Sequence, residues 1–272
     1  MGKITEALKQ AEEQRAQLED SAGAPSFRDP LTRQVEESGS RAMGHSIRDA
    51  RRTRVVVSEA EKGVAEHYRA LRARLESIRR TRPFRSVVLM SARSDEGKTT
   101  TAVNLALSYG LGLDADTCLV DADLRTPDVQ QSLPEQGTAG LTEVLEDRAT
   151  LDEALVRFPD TRLWVLAARS VPRGPSELLA SQRMVEVMRE LHSRFGIVIV
   201  DGLPILGLPD MTTLVDVCDV ALLVVASKKS ARPELERALG RVDREKVIGI
   251  VFNRSEDGPV PYDYVYGLTP DR

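Results

Sequence analysis

Residues 87–104 constrain this chain more than any other stretch. They read as an apolar strand, Val87-Val88-Leu89-Met90-Ser91, then a polar loop, Ala92-Arg93-Ser94-Asp95-Glu96-Gly97-Lys98-Thr99-Thr100, then an apolar helix. A helix that begins at Gly97-Lys98 aims unpaired backbone N–H groups and the positive end of its dipole at one point, and that point suits a phosphate. In such a loop Lys98 reaches the β- and γ-phosphates of a nucleotide, and the Thr99 hydroxyl ligates Mg²⁺. The first glycine of the G-x-x-x-x-G-K-[ST] pattern is Ala92 here. A strand–turn–helix with an incidental lysine is the plainer alternative.

With 272 residues, 41% of them hydrophobic, the chain can build one sizeable α/β domain plus tails. The net charge of −4 conceals an asymmetry: residues 41–85 hold 13 Lys/Arg against 5 Asp/Glu. Such a segment could face anionic lipid, an acidic partner or nucleic acid, but scattered arginines on a solvated face explain it as well. It lacks the interleaved aromatics or reading module of a nucleic-acid binder. Cys118 and Cys218 lie in apolar runs and read as small buried hydrophobes in a reducing cytoplasm. No apolar run is long enough to span a bilayer. The opening Met1-Gly2-Lys3-Ile4-Thr5-Glu6 has Glu where a myristoylation site has Ser or Thr, and no signal-peptide core follows. These features predict a soluble or peripheral protein.

Residues 1–19 carry a thin apolar stripe (Ile4, Ala7, Leu8, Ala11, Leu18), which predicts a short amphipathic helix, either docked on a partner or solvated. Residues 20–58 turn to Ser, Gly, Pro, Arg and Glu without periodicity, the composition of a disordered linker. A helix over 59–80 follows, with Val64, Tyr68, Leu71, Leu75 and Ile78 on one face. Beside that face run Glu66, Arg69 and Arg72 at three-residue intervals; spacing alone predicts an internal Glu66–Arg69 pair. After the first strand, apolar runs at 117–121, 163–167, 197–201, 220–226 and 247–253 alternate with helical stretches at 99–111, 176–192 and 233–242. That alternation predicts a doubly wound, mostly parallel sheet flanked by helices, extending to about residue 258. Ligands of such sheets sit at the carboxyl ends of the strands.

Carboxylates stand at those ends. Leu119-Val120-Asp121-Ala122-Asp123 closes one strand and Ile197-Val198-Ile199-Val200-Asp201 another. Beside a phosphate-binding loop, one or two of them can hold Mg²⁺ and another can accept a proton from an attacking hydroxyl. A single Asp there could equally be a cap or turn residue. The H-R-D and D-F-G signatures of eukaryotic-type protein kinases are missing, so any kinase chemistry must run on P-loop machinery.

Residues 59–272 resemble the bacterial tyrosine autokinases of exopolysaccharide and capsule synthesis, a branch of the MinD/ParA-like P-loop proteins. The resemblance is carried by Glu66-x-x-Arg69-x-x-Arg72, Glu96-Gly97-Lys98-Thr99-Thr100 and Asp121-x-Asp123-x-Arg125-x-Pro127, together with Pro175-Ser176-Glu177-Leu178-Leu179, the strands ending at Asp201 and Asn253, and a tyrosine-bearing tail. Lys3-Ile4-Thr5-Glu6-Ala7-Leu8 is similar to the start of stand-alone members that accompany exosortase-type systems. The resemblance implies ATP and Mg²⁺ as cofactors, bound by residues 93–100. Asp121 and Asp123 would serve the metal and activate the tyrosine, Asp201 would place metal-bound water, and Asn253 would lie near adenine. It implies a homo-oligomeric ring joined through Glu66, Arg69 and Arg72, in which the tail of one subunit enters its neighbour's site. It also implies a membrane-embedded polysaccharide co-polymerase or adaptor as partner, holding a cytoplasmic kinase at the inner face of the membrane.

The tail, residues 259–272, bears Tyr262, Tyr264 and Tyr266, three of the five tyrosines, near Pro259 and Pro261. Alternating tyrosines can form an edge strand, whereas prolines at a chain end favour a mobile segment with usable phosphoacceptors. Three features depart from the family pattern. Ser94-Asp95 replaces Pro-Gly, Asp201-Gly202-Leu203-Pro204 replaces D-x-P-P, and Arg93 stands where MinD/ParA proteins carry a signature lysine. Asp95, Arg93 and the short tail with only three tyrosines leave open a second reading, a MinD/ParA-like ATPase or ATP-binding scaffold that assembles without phosphorylating anything.

Overall fold

The structure, a computed structural model, describes residues 62–112, 115–133, 137–207, 210–227 and 229–255. The chain divides into two units, Met1–Arg52 and Thr53–Arg272, and every described residue belongs to the second. The expected N-terminal helix, the whole linker, and the tail with Tyr262, Tyr264 and Tyr266 lie outside the described residues.

In chain order the elements are α1 (Lys62–Thr81), β1 (Ser86–Ser91), α2 (Lys98–Gly112), β2 (Thr117–Asp121), α3 (Val129–Ser132), α4 (Leu141–Leu145), α5 (Leu151–Ala154), β3 (Val156–Arg157), β4 (Leu163–Leu166), α6 (Pro175–Leu179), α7 (Gln182–Arg194), β5 (Ile197–Pro204), α8 (Asp210–Val217), β6 (Val220–Ala226), α9 (Arg232–Leu239) and β7 (Val247–Asn253). One sheet of seven strands runs β3-β4-β2-β5-β1-β6-β7. Every pairing is parallel except β3 with β4. The apolar runs explain this: β1, β2 and β6 are buried along their whole length, as strands covered by helices on both faces must be. The expected doubly wound sheet is therefore the observed one.

Two local departures have clear causes. The helical stretch expected at 176–192 is two helices, because Ser181 accepts a hydrogen bond from the Met184 amide and caps a fresh start. Strand β5 runs on through Gly202 to Pro204, and the β1–β5 register shifts between Leu89 and Ser91. A side chain at Gly202 would stand 2.6 Å from the Leu89 carbonyl oxygen, so the strands close up only around glycine.

Helix α1 packs against α2, with Leu75 buried in the core and Tyr68, Leu71 and Ile78 half-buried against it. Truncating a leucine so enclosed typically costs about 2–5 kcal/mol. Two hydrogen bonds tie the helices further: Tyr109 donates to Glu76 at 3.0 Å, and Arg72 donates to the Ser108 carbonyl. Helix α2, which starts at the phosphate-binding loop, is thus held by α1 as well as by the sheet it packs on. Among the described residues no helix is long and apolar enough to cross a membrane.

Candidate nucleotide and phosphoryl-transfer site

Strand order places the chemistry. β5 lies between β1 and β2, so the loop after β1 and the acids after β2 flank the tip of β5. Asp121 and Asp201 are register partners across β2 and β5, and the Cα atoms of adjacent strands are about 5 Å apart. Both carboxylates are fully buried and Asp123 nearly so. Helix α2 begins at Lys98 itself, and its ammonium donates to Asp201 Oδ1 at 2.8 Å. The structure thus brings Lys98, Thr99, Asp121, Asp123 and Asp201 to one end of the sheet.

The loop between β1 and α2 adopts a backbone that sequence could only hint at. Gly97 has φ of 89° and Asp95 φ of 61°. Glycine takes such angles freely, whereas Asp95 carries strain of about 1 kcal/mol. A Cβ on Gly97 would fall 1.7 Å from the Asn253 side-chain nitrogen, which donates to the Glu96 carbonyl at 3.0 Å. Asn253 is therefore a brace of this loop, at the end of β7.

Burial dominates the acids. It raises the Asp121 pKa well above the usual aspartate range, and the neighbouring Asp201 charge adds to the rise. Burial also raises Asp201, while Lys98 and the Thr99 hydroxyl beside it pull the other way. For Lys98 burial alone would favour the neutral amine, but Asp201, with Asp123 and Asp121, outweighs it and raises the pKa. The ammonium is the counter-charge that lets these aspartates share one corner.

The oxygens are not equally available. Asp121 Oδ1 accepts the Asp123 amide at 3.1 Å and Oδ2 accepts the Val129 amide at 3.2 Å. Asp123 Oδ1 accepts the Thr126 amide. Asp201 Oδ2 is buried without a hydrogen-bond partner. Among the described residues no three His, Cys, Asp or Glu side chains converge as a ready metal cage. The donor set nevertheless fits Mg²⁺ once a nucleotide supplies further oxygens: the orphaned Asp201 Oδ2 and the Thr99 hydroxyl are hard oxygen ligands of the right kind.

The remaining candidates are placed as follows. Ser94 and Asp95 are exposed on the loop and Thr100 is half-buried in the first turn of α2. Arg93 turns away from the loop, and its Nε donates to Glu234 on α9 at 2.9 Å. Glu66 and Arg69 are exposed and paired with each other, the simple i,i+3 contact that spacing suggested, and Arg72 is turned onto α2. Sequence reasoning gave no role to Arg125, which donates to Ser176 Oγ at 2.7 Å and to the buried Asp210 at 3.0 Å. That guanidinium joins the loop after β2 to the starts of α6 and α8. Its signals were present in the Asp-x-Asp-x-Arg and Pro-Ser-Glu motifs, but Asp210 had none. Two clefts of about 420 Å³ lie elsewhere, one lined by Gly110, Gly112 and Arg157 at the far end of α2, the other by Arg79, Phe84 and His192. Neither contains a residue of the phosphate loop or any of the three aspartates.

No family model matches the chain. A curated relative, the tyrosine-protein kinase YwqD of Bacillus subtilis (strain 168), is 32% identical over 201 residues, covering 73% of this chain and 84% of the relative. The chain belongs to the bacterial tyrosine-protein kinases. Among solved structures of that family, the BceF tyrosine kinase domain matches with a TM-score of 0.65 and 27% identity, covering 75% of this chain and 83% of that one. The cell division ATPase MinD of Pyrococcus furiosus matches with a TM-score of 0.53 and 20% identity, over 65% of this chain and 76% of that one, and shares the fold alone. In this bacterial tyrosine-protein kinase the P-loop sheet carries Asp121 at the end of β2 and Asp201 beside it in β5, three residues before that strand ends.

Proposed function

We propose that this chain is an autophosphorylating protein-tyrosine kinase that transfers the γ-phosphoryl group of ATP to Tyr262, Tyr264 or Tyr266 of a neighbouring subunit. The observation that carries the reading is the buried Lys98–Asp201 contact beside Asp121, its register partner. An ammonium held against strand-tip carboxylates next to a loop that opens into a helix is poised to exchange a carboxylate for a phosphate. Lys98 then neutralises charge on the β- and γ-phosphates, and the loop amides bind the phosphate chain. Asp201 Oδ2 and Thr99 would hold Mg²⁺, which supplies charge neutralisation when bound. The tyrosine oxygen attacks the γ-phosphorus, the bond to the β,γ-bridging oxygen breaks, and ADP leaves with that electron pair. The phenolic proton passes to Asp121 or Asp123, carboxylates whose placement suits general-base work.

Each phosphate added to the tail carries about −1.5 to −2 charges and is repelled by this acidic corner, so phosphorylation loosens a ring built on tail insertion. The family resemblance supports a role for this cycle in exopolysaccharide or capsule polymerisation and export. A membrane-embedded co-polymerase would be the partner that holds the kinase at the inner membrane face, with Glu66, Arg69 and Arg72 at the subunit contacts.

The test is mass spectrometry of the full chain after incubation with ATP and Mg²⁺. Phosphotyrosine on residues 262–266 is expected, and replacing all three tyrosines by Phe should remove it while ADP binding stays unchanged. ATP hydrolysis or ATP-dependent assembly with no phosphotyrosine would instead support the scaffold reading, to which the strained Asp95 in the phosphate loop lends some weight.

A further inference from the structure

The phosphate-binding pattern specifies nothing at the position before its glycine, yet the Glu96 side chain there is only 1% exposed. Its carboxylate is shared by two donors. Oε2 accepts the Arg93 amide at 3.1 Å, and Oε1 accepts the hydroxyl of Ser230. Ser230 belongs to the segment joining β6 to α9, 134 residues further along the chain. The same segment approaches the loop twice more. Lys229 Nζ lies 3.3 Å from the Ser94 carbonyl and 3.4 Å from that of Asp95, and Glu234 takes the Arg93 guanidinium.

These contacts settle the orientation of the loop peptides. Ser91 Oγ donates to the Arg93 carbonyl at 2.7 Å, Lys229 faces the next two carbonyls, and Asn253 takes that of Glu96. Four successive carbonyls, 93 to 96, each therefore meet a donor supplied from outside the loop. In a trans peptide the N–H points opposite its C=O, and no peptide here is cis. Holding the carbonyls fixes the direction of the amides of residues 94–97, the groups a phosphate would meet. The Lys229 and Glu234 contacts are largely solvent-exposed and so weak. The Glu96–Ser230 bond, with its carboxylate buried and its hydroxyl half-buried, is stronger than either.

We propose that Glu96 is a positioning residue for phosphate binding, and that Ser230 is the strut through which the β6–α9 segment holds the loop amides in their gripping geometry. The inference rests on the nucleotide-binding reading above and deepens it.

Equilibrium binding of ADP to the full chain tests it, with Glu96→Ala, Ser230→Ala, the double variant and Glu96→Gln. Losing the Ser230–Glu96 hydrogen bond should raise the ADP Kd about tenfold in Ser230→Ala, and at least as much in Glu96→Ala, which also strands the Arg93 amide. The double variant should be no worse than Glu96→Ala alone, because both remove the same link. Glu96→Gln should recover most of the affinity, since its amide can accept from Arg93 and donate to Ser230. KM for ATP should rise in the single variants while kcat stays within about threefold. If Glu96→Ala does not fold, Ser230→Ala carries the test, because it leaves the carboxylate in place. An unchanged ADP Kd in the folded variants, additive losses, or a fall in melting temperature without a change in Kd would overturn the proposal while leaving the kinase reading intact. Failure of the wild-type chain to bind ADP would overturn both.

Discussion

Lys98→Met should lower phosphotyrosine formation by roughly 10³-fold, the scale of removing a preorganised charge from a transferring group. The structure adds a second, separable effect. Lys98 is the counter-charge of a buried corner, donating to Asp201 at 2.8 Å and lowering the pKa of both Asp201 and Asp121. Removing one partner of such a buried pair costs about 3–5 kcal/mol when the other stays charged. The melting temperature should therefore fall at neutral pH and recover on mild acidification, as the stranded aspartates take up protons. Activity should not recover with it. Melting curves and phosphotyrosine yield, each followed across pH, distinguish a catalytic loss from a folding loss.

Asp201→Asn should likewise lower phosphoryl transfer, by about 10²–10³-fold, but with the opposite effect on stability. The amide oxygen can still accept from Lys98, and the amide nitrogen takes the place of an oxygen that has no partner. The sign of the pH dependence follows from burial, which raises both folded aspartate pKa values. Acids raised on folding contribute stability below the pKa of an unfolded aspartate, about 3.9, and that contribution is lost as pH rises through the folded values. Removing the Asp201 carboxylate removes its share of that loss and relieves the charge that raises Asp121. The melting temperature of Asp201→Asn should thus gain on wild type as pH climbs from acid to neutral. A parallel pair of curves would contradict the account.

Much of this site was legible because parallel sheets announce themselves. Val87 to Met90 and Val198 to Val200 are apolar without alternation, as strands buried on both faces must be, and the polar residues that end them fall at the ligand end of the sheet. Positive φ at Asp95, where the family pattern has glycine, and at Gly97 two residues on was likewise foreshadowed, since a loop of this kind must turn sharply. What could not be read was side-chain direction over long sequence distances. Nothing local tells that Glu96 meets Ser230, that Arg93 turns to Glu234, or that Arg125 bridges Ser176 and Asp210. Ser181 was a different kind of omission: a capping serine inside an otherwise helical pattern looks like a tolerated surface residue until the chain is seen to restart there. The two-residue β3 is too short for any period to show.

The most direct measurement mixes two inactive partners. Lys98→Met protein keeps its tail tyrosines but should lack transfer activity, and protein with Tyr262, Tyr264 and Tyr266 all changed to Phe keeps the phosphate loop and the strand-tip aspartates but lacks acceptors. Incubated with ATP and Mg²⁺, neither alone should yield phosphotyrosine, and the mixture should yield it on the tail of the Lys98→Met chain. Phosphotyrosine from the wild type but none from the mixture, or labelling of Lys98→Met protein alone, would contradict transfer between subunits by this site.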